Sequence, residues 1–265
     1  MSINLGLQGV HVLITGATGG IGLELTRLFL QSGARVTAHY KTSRDPLDGL
    51  SSIVTIQADV RDEASVDNLL AQAAQQNGGP VSILIVNHGI WPHNDAPIVD
   101  MELNQWENTL AVNLTGTFLL CRAYLRGLRT APENVKSAAS IIIIGSTAGK
   151  YGEANHGDYA ASKSALMYGL TPTLKNELVT IAPRGRVNCV NPGWVATPMA
   201  AETLKDKPYL ERTLATTPLQ KVGQPKDIAA QVAVLASPLL SGHVTGVNLM
   251  VDGGMEGRLL FPPKH

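Results

Sequence analysis

Cysteine is scarce: the 265 residues include two, Cys121 and Cys189, both in apolar segments. Two such thiols build no disulfide framework, so a reducing compartment is the expectation. Neither sign of charge is in excess, with 21 Lys and Arg against 21 Asp and Glu. That balance indicates no electrostatic partner such as nucleic acid or an anionic membrane. No basic stretch followed by a long apolar run opens the chain, and no apolar segment is long enough to cross a bilayer. The tail from Arg258 to His265 carries no targeting pattern. By default these absences point to the cytoplasm, and no metal site is expected. Internal repeats, low-complexity tracts and Pro/Gly-rich linkers are missing too. One domain over residues 1–265 is therefore expected, long enough to bury a substantial core.

What is present is an alternation of short apolar runs with segments of helical period. This is the pattern of a doubly wound, Rossmann-type parallel sheet with helices on both faces. Seven strands are predicted, at 10–15, 35–40, 53–57, 83–87, 140–145, 186–190 and 247–251; most are rich in Val, Ile and Leu, as strands buried on both faces are. Helices are predicted from about Gly20 to Ser32, around Val66, Leu69, Leu70 and Ala73, after Glu102, around Asp158, and from Pro225. Pro172 should kink or interrupt the helix that carries Tyr159, beyond Lys163. Residues 130–139 read as a surface loop.

The first strand runs into Thr15-Gly16-Ala17-Thr18-Gly19-Gly20-Ile21-Gly22 and a helix start. Glycines let the backbone approach a pyrophosphate, and the helix N-terminus offers it free N–H groups. The spacing satisfies TGxxxGxG through Gly16, Gly20 and Gly22, and equally TGxxGxxG through Gly16, Gly19 and Gly22. Tyr159 and Lys163 stand at i and i+4 on one helix face, thirteen and seventeen positions after Ser146 at the end of the isoleucine strand. Ser146, Gly16, Asn87 and Pro192 all fall at carboxyl ends of predicted strands, where ligands of such sheets collect.

With these motifs the chain resembles the short-chain dehydrogenase/reductase family over nearly its whole length, and its length and the closing Val251-Asp252-Gly253-Gly254 look like the classical branch. The resemblance implies a nicotinamide cofactor held by the glycine turn with Thr18 and Ile21, by Asp59 and Val60 at the adenine, and by Asn87 and Gly89. On the nicotinamide side it implies Pro192, Gly193, Val195 and Thr197. Val86 and His88 depart from the family's usual Asn-Asn-Ala-Gly; His88 reads as a titrating group or as a tolerated side chain beside a backbone contact. Tyr159 is the expected general acid/base, Ser146 the donor to the oxyanion, Lys163 the cation that lowers the tyrosine pKa and binds ribose, and Asn113 the residue that positions a relay water.

No acid ends the second strand; Lys41, Thr42, Ser43 and Arg44 follow it instead. They can pair with a 2′-phosphate, so NADP(H) is expected, with NAD(H) the alternative. His39 and Tyr40 are candidates to stack beside the adenine. The substrate loops contribute Ile90, Trp91, Pro92 and His93, then Lys150, Tyr151, Glu153 and His156, then Trp194, under an expected mobile lid at 199–218. The tryptophans either flank a flat substrate or anchor loops. The expected reaction interconverts a carbonyl and an alcohol. An NAD-dependent alcohol or polyol dehydrogenase, an extended-branch epimerase or dehydratase, and a cofactor-sensing regulator are the alternatives. The resemblance implies a homo-oligomer, tetramer or dimer, paired through the long helices that follow Glu102 and Asp158; the apolar faces around Phe118, Leu119 and Leu166 suit that pairing and packing on the sheet equally.

Overall fold

Four consecutive isoleucines after Ser140 leave that segment no polar face to present to water, and it is buried on both sides within a parallel sheet. The structure, a computed structural model, describes residues 4–92 and 94–257. The sheet comprises β1 (His11–Ile14), β2 (Arg35–Tyr40), β3 (Ile53–Gln57), β4 (Ile83–Val86), β5 (Ser140–Ile144), β6 (Arg186–Pro192) and β7 (Asn248–Val251). Their order is β3-β2-β1-β4-β5-β6-β7, all parallel. All seven expected strands form, β2 and β3 with the expected ends and the others with ends moved by one or two residues. β6 runs past Val190 because Asn191 and Pro192 still pair with Met250 and Val251.

Alternate side chains of the central strands serve opposite cores. Val12, Ile14, Ile83, Ile85, Ile142 and Ile144 pack with Leu25 and Phe29 of helix Gly20–Gln31 and with Ile228 and Val232 of helix Pro225–Ala236. Leu13, Leu84, Val86, Ile141 and Ile143 pack on the other face, against Val66 and Leu69 of helix Glu63–Gln76, Leu120 and Tyr124 of helix Gly116–Arg129, and Leu174 and Leu178 of helix Thr171–Ile181. Asp62 caps helix Glu63–Gln76 by accepting from the Ala64 and Ser65 N–H groups. Strand order reverses between β1 and β4, so the connections leave their carboxyl ends in opposite directions and open a crevice there.

Pro172 interrupts the regular α-helix, as expected, without ending the helical run. An α-helix spans Gly157–Ser164, a wider i→i+5 segment follows at Ala165–Leu170, and Pro172 stands second in the helix Thr171–Ile181. The wide segment relieves the ring's clash with the preceding turn, and the Thr171 hydroxyl donates to the Leu166 carbonyl at 2.8 Å. Residues 130–139 are no plain surface loop: Glu133–Lys136 is helical, and Ala131, Val135 and Ala139 are buried in the core. The lid segment is largely helical, at Pro198–Ala200, Ala201–Lys205 and Lys207–Ala215.

Candidate active site

The crevice is a cleft of about 390 Å³ running from the glycine turn to the start of the lid segment. At one end Gly16 adopts φ +61°, a left-handed conformation that favours glycine. A Cβ on Gly22 would collide with the Gly16 carbonyl, and one on Gly20 would sit 2.8 Å from Thr197 Cγ2. A Cβ on Gly19 would keep 3.4 Å from its nearest neighbour. The positions that require glycine are thus 16, 20 and 22, and TGxxxGxG is the pattern in force. The bare turn leads into the N-terminus of the twelve-residue helix Gly20–Gln31, so the cradle fits a dinucleotide pyrophosphate.

Thr18, Ile21, Val60, Asn87 and Gly89 line the same cleft, as expected. Asn87 also braces the turn, its Nδ2 donating to the Thr15 and Gly16 carbonyls at 3.0 Å each. Pro192, Gly193, Val195 and Thr197 line the far end. Lys41 and Thr42 reach the cleft, whereas Ser43, Arg44 and Asp59 are not in its wall. Arg44 is paired with Asp48 at 2.8 Å in the open, and the Ser43 hydroxyl accepts from the Asp45 N–H. The Asp59 carboxylate is gripped by Arg61 at 2.6 Å and lies 3.5 Å from Lys41, contacts that hold it far below the ordinary carboxylate range.

Two histidines hold the glycine turn from beneath. His39 lines the cleft, and its Nδ1 accepts from the Gly16 N–H at 3.2 Å while its Nε2 donates to the Ala58 carbonyl at 3.1 Å. His88 is more than a tolerated side chain. Its Nε2 meets the Val112 carbonyl at 3.1 Å and must carry the proton, which leaves Nδ1 to accept from the Thr15 hydroxyl at 2.9 Å. Thr15 Oγ1 in turn accepts from the Asn87 and His88 N–H groups. Burial, and the nearby His39 and Lys163, push His88 down to about 3, so it is neutral and does not titrate near physiological pH. Sequence reasoning missed Thr15 as a hub; a threonine closing a strand gives no signal of it.

At the catalytic end, Ser146 follows β5 and sits close enough to the Tyr159 phenol to favour its ionised form, while its Oγ accepts from the Ala148 N–H at 3.2 Å. Tyr159 is half-buried, its ring edge-on to Trp91 with centroids 4.8 Å apart. The Lys163 ammonium lies 5.6 Å from the Tyr159 ring centre and donates to the Ile144 carbonyl at 2.8 Å. Burial moves the two in opposite directions, the phenol up to about 12 and the ammonium down to about 8. Desolvation dominates the phenol's shift, so Tyr159 holds its proton at neutral pH.

Asn113 does not line the cleft. It is fully buried in a wide turn, Ala111–Thr115; its Oδ1 accepts from Ile90 N–H at 2.8 Å, and its Nδ2 donates to Ile90 O and Ser162 Oγ. The side chain thus braces the substrate loop against the catalytic helix. Asp158, overlooked in the sequence, does similar work by accepting from Thr109 Oγ1 at 2.7 Å. Ile90, Trp91, Glu153 and Trp194 of the expected substrate residues line the cleft. Lys150 and Tyr151 do not; Tyr151 donates instead to the Met255 carbonyl. His156 is buried against Trp91, and His93 lies outside the described residues. No group of three or more metal-ligating side chains occurs among the described residues.

Residues 16–256 match a family model described as enoyl-(acyl carrier protein) reductase. The 3-oxoacyl-(acyl-carrier-protein) reductase of Vibrio cholerae is 35% identical over 256 residues, spanning 95% of this chain and 99% of that protein. The L-tagatose-forming galactitol 2-dehydrogenase of Cereibacter sphaeroides is 36% identical, spanning 94% and 95%. A solved structure from Brucella melitensis, described as a short-chain dehydrogenase/reductase of the glucose/ribitol dehydrogenase type, superposes with a TM-score of 0.83 at 33% identity, covering 96% of this chain and 98% of that one. The chain belongs to the short-chain dehydrogenase/reductase family. It is an oxidoreductase of that family, whose members use nicotinamide dinucleotide cofactors.

Proposed function

We propose that this oxidoreductase interconverts a ketone or aldehyde and the corresponding alcohol, and that it uses NADP(H). The observation that carries the reading is the meeting of Ser146, Tyr159 and Lys163 in one cleft with a glycine cradle that a Cβ at position 20 or 22 would fill. The cofactor supplies or accepts the hydride. Tyr159, protonated at neutral pH, gives its proton to the developing alkoxide, while the Ser146 hydroxyl donates a hydrogen bond to the same oxygen. Lys163 holds positive charge beside the phenol and is placed to bind the ribose. Trp91 and the apolar wall around it exclude water from the reacting carbon.

Replacing Tyr159 with Phe removes the proton and little else. With a panel of ketones followed by NADPH absorbance, turnover is expected to fall by about 10²–10⁴-fold with cofactor affinity retained. Near-normal turnover would refute the role of Tyr159.

The cofactor preference is supported by charge at the end of β2. No acid lines the cleft there, and Lys41 and Thr42 do. Arg44 stands apart with Asp48, so Lys41 is the cation expected to meet a 2′-phosphate. Lys41→Ala should reduce the kcat/KM ratio of NADPH to NADH about tenfold or more, a charge-assisted contact being worth about 1.5–3 kcal/mol; Arg44→Ala should change it far less. A parent that prefers NADH would overturn this part of the proposal. The same family membership supports a homo-oligomer, a tetramer or a dimer.

A further inference from the structure

Glu153 is the one acidic side chain in the wall of the cleft among the described residues. It comes from the loop after β5 and lies close enough to Tyr159 for its charge to raise the phenol's pKa. The Tyr209 hydroxyl donates to its Oε1 at 3.2 Å. Its neighbours are aromatic. Trp91 rests on His156 with ring centres 3.8 Å apart and meets Trp194 edge-on at 5.9 Å, and Trp194 meets Tyr209 edge-on at 5.4 Å. His156 is itself fixed by Asp95, whose Oδ1 is 3.0 Å from its Nε2. The result is a firm apolar wall with one carboxyl group set into it beside the acid that protonates the substrate.

A carboxylate only accepts hydrogen bonds, so a ligand beside it must bring donors. Hydrocarbon and thioester groups bring none, and bringing one against Glu153 would leave a half-buried carboxylate oxygen without a partner. An anionic ligand would be repelled. An ammonium ion would bring its charge into a cleft already lined by the Lys41 and Lys163 ammonium groups, and the rings, packed edge to face, turn no faces toward one point to hold it. Hydroxyl groups satisfy both halves of the site, since a hydroxylated carbon skeleton stacks on an aromatic wall while its O–H groups donate to the carboxylate.

Resting on the oxidoreductase reading above, we infer that the substrate is an uncharged hydroxyketone or polyol, with Glu153 accepting a hydrogen bond from a hydroxyl next to the reacting carbon. Glu153 is then the residue that sets specificity, and Trp91 supplies the surface the substrate lies on. Burial also raises the carboxyl's pKa, which weakens repulsion of the alkoxide forming nearby.

The test compares 2-hydroxycyclohexanone with cyclohexanone as substrates of the intact protein, with NADPH and with NADH. The parent should favour the hydroxylated ketone in kcat/KM by about tenfold or more, because a site built around a substrate hydroxyl discriminates strongly against its absence. In Glu153→Leu that ratio should fall toward one, and Glu153→Gln, which keeps an acceptor oxygen for Tyr209, should retain part of it. A ratio between two substrates on one protein is unaffected by partial loss of folded enzyme. A parent ratio near one, or an undiminished ratio in both variants, would overturn the inference and leave the oxidoreductase reading standing. A parent that reduces other ketones of the panel but neither of these two would overturn the inference alone, and one that binds NADPH and reduces no ketone or aldehyde would overturn the proposed reaction as well.

Discussion

His11, His39 and His88 are all buried within hydrogen-bonded frames, and burial lowers the pKa of each. Each frame holds the neutral ring, so protonation must break it. The sign follows from linkage: below its ordinary pKa of 6.5 the unfolded histidine takes up a proton that the folded one refuses. Stability is therefore fully present above about 6.5 and is lost as pH falls, for His88 down to its folded value of about 3. At about pH 5.5, one such histidine costs roughly 1.4 kcal/mol. The urea midpoint should fall between about pH 7.5 and pH 5.5, and His88→Gln, which can bond without titrating there, should flatten the decline. A midpoint indifferent to pH in the parent would show that these rings are protonated in place.

At the scale of elements, the glycine turn makes the sharpest claim. Gly19→Ala should bind cofactor nearly as the parent does, because its Cβ has 3.4 Å of room, while Gly22→Ala should lose binding through collision with the Gly16 carbonyl. Isothermal titration with NADPH checks both; equal losses would mean that the turn does not keep this shape. The sequence left these two spacings undecided, since a string of glycines does not say which of them is crowded. Strands were legible for a physical reason. Runs such as Ile141–Ile144 are apolar on both faces, and no helix or turn accounts for that. Tyr159, Lys163 and Ser146 were legible as well, because strand ends and an i, i+4 pair fix direction locally. What stayed hidden depends on partners far along the chain. The Asn113 brace needs Ile90 and Ser162, and the His88 frame needs Thr15 and Val112.

For the whole molecule, no helix among the described residues is long and apolar enough to cross a membrane. Leu119 and Leu166 pack into the core, whereas Phe118, Tyr168 and Val179 on the helical runs are exposed. If these exposed groups mediate assembly, light scattering at micromolar concentration should give a dimer or tetramer, and Phe118→Glu should shift it toward smaller species. A monomeric parent would remove association from the proposed function. The reversal of strand order has a kinetic side as well. Val12 pairs with Val36 across a short crossover, but its other neighbour, Ile83, lies roughly 70 positions on, and closing that longer loop costs about 1 kcal/mol more in chain entropy. The β1–β4 seam is therefore entropically the later of the two to close during folding. A chain caught before that closure can display β1 to β3 and still lack the crevice, so recovery of activity should trail recovery of secondary structure.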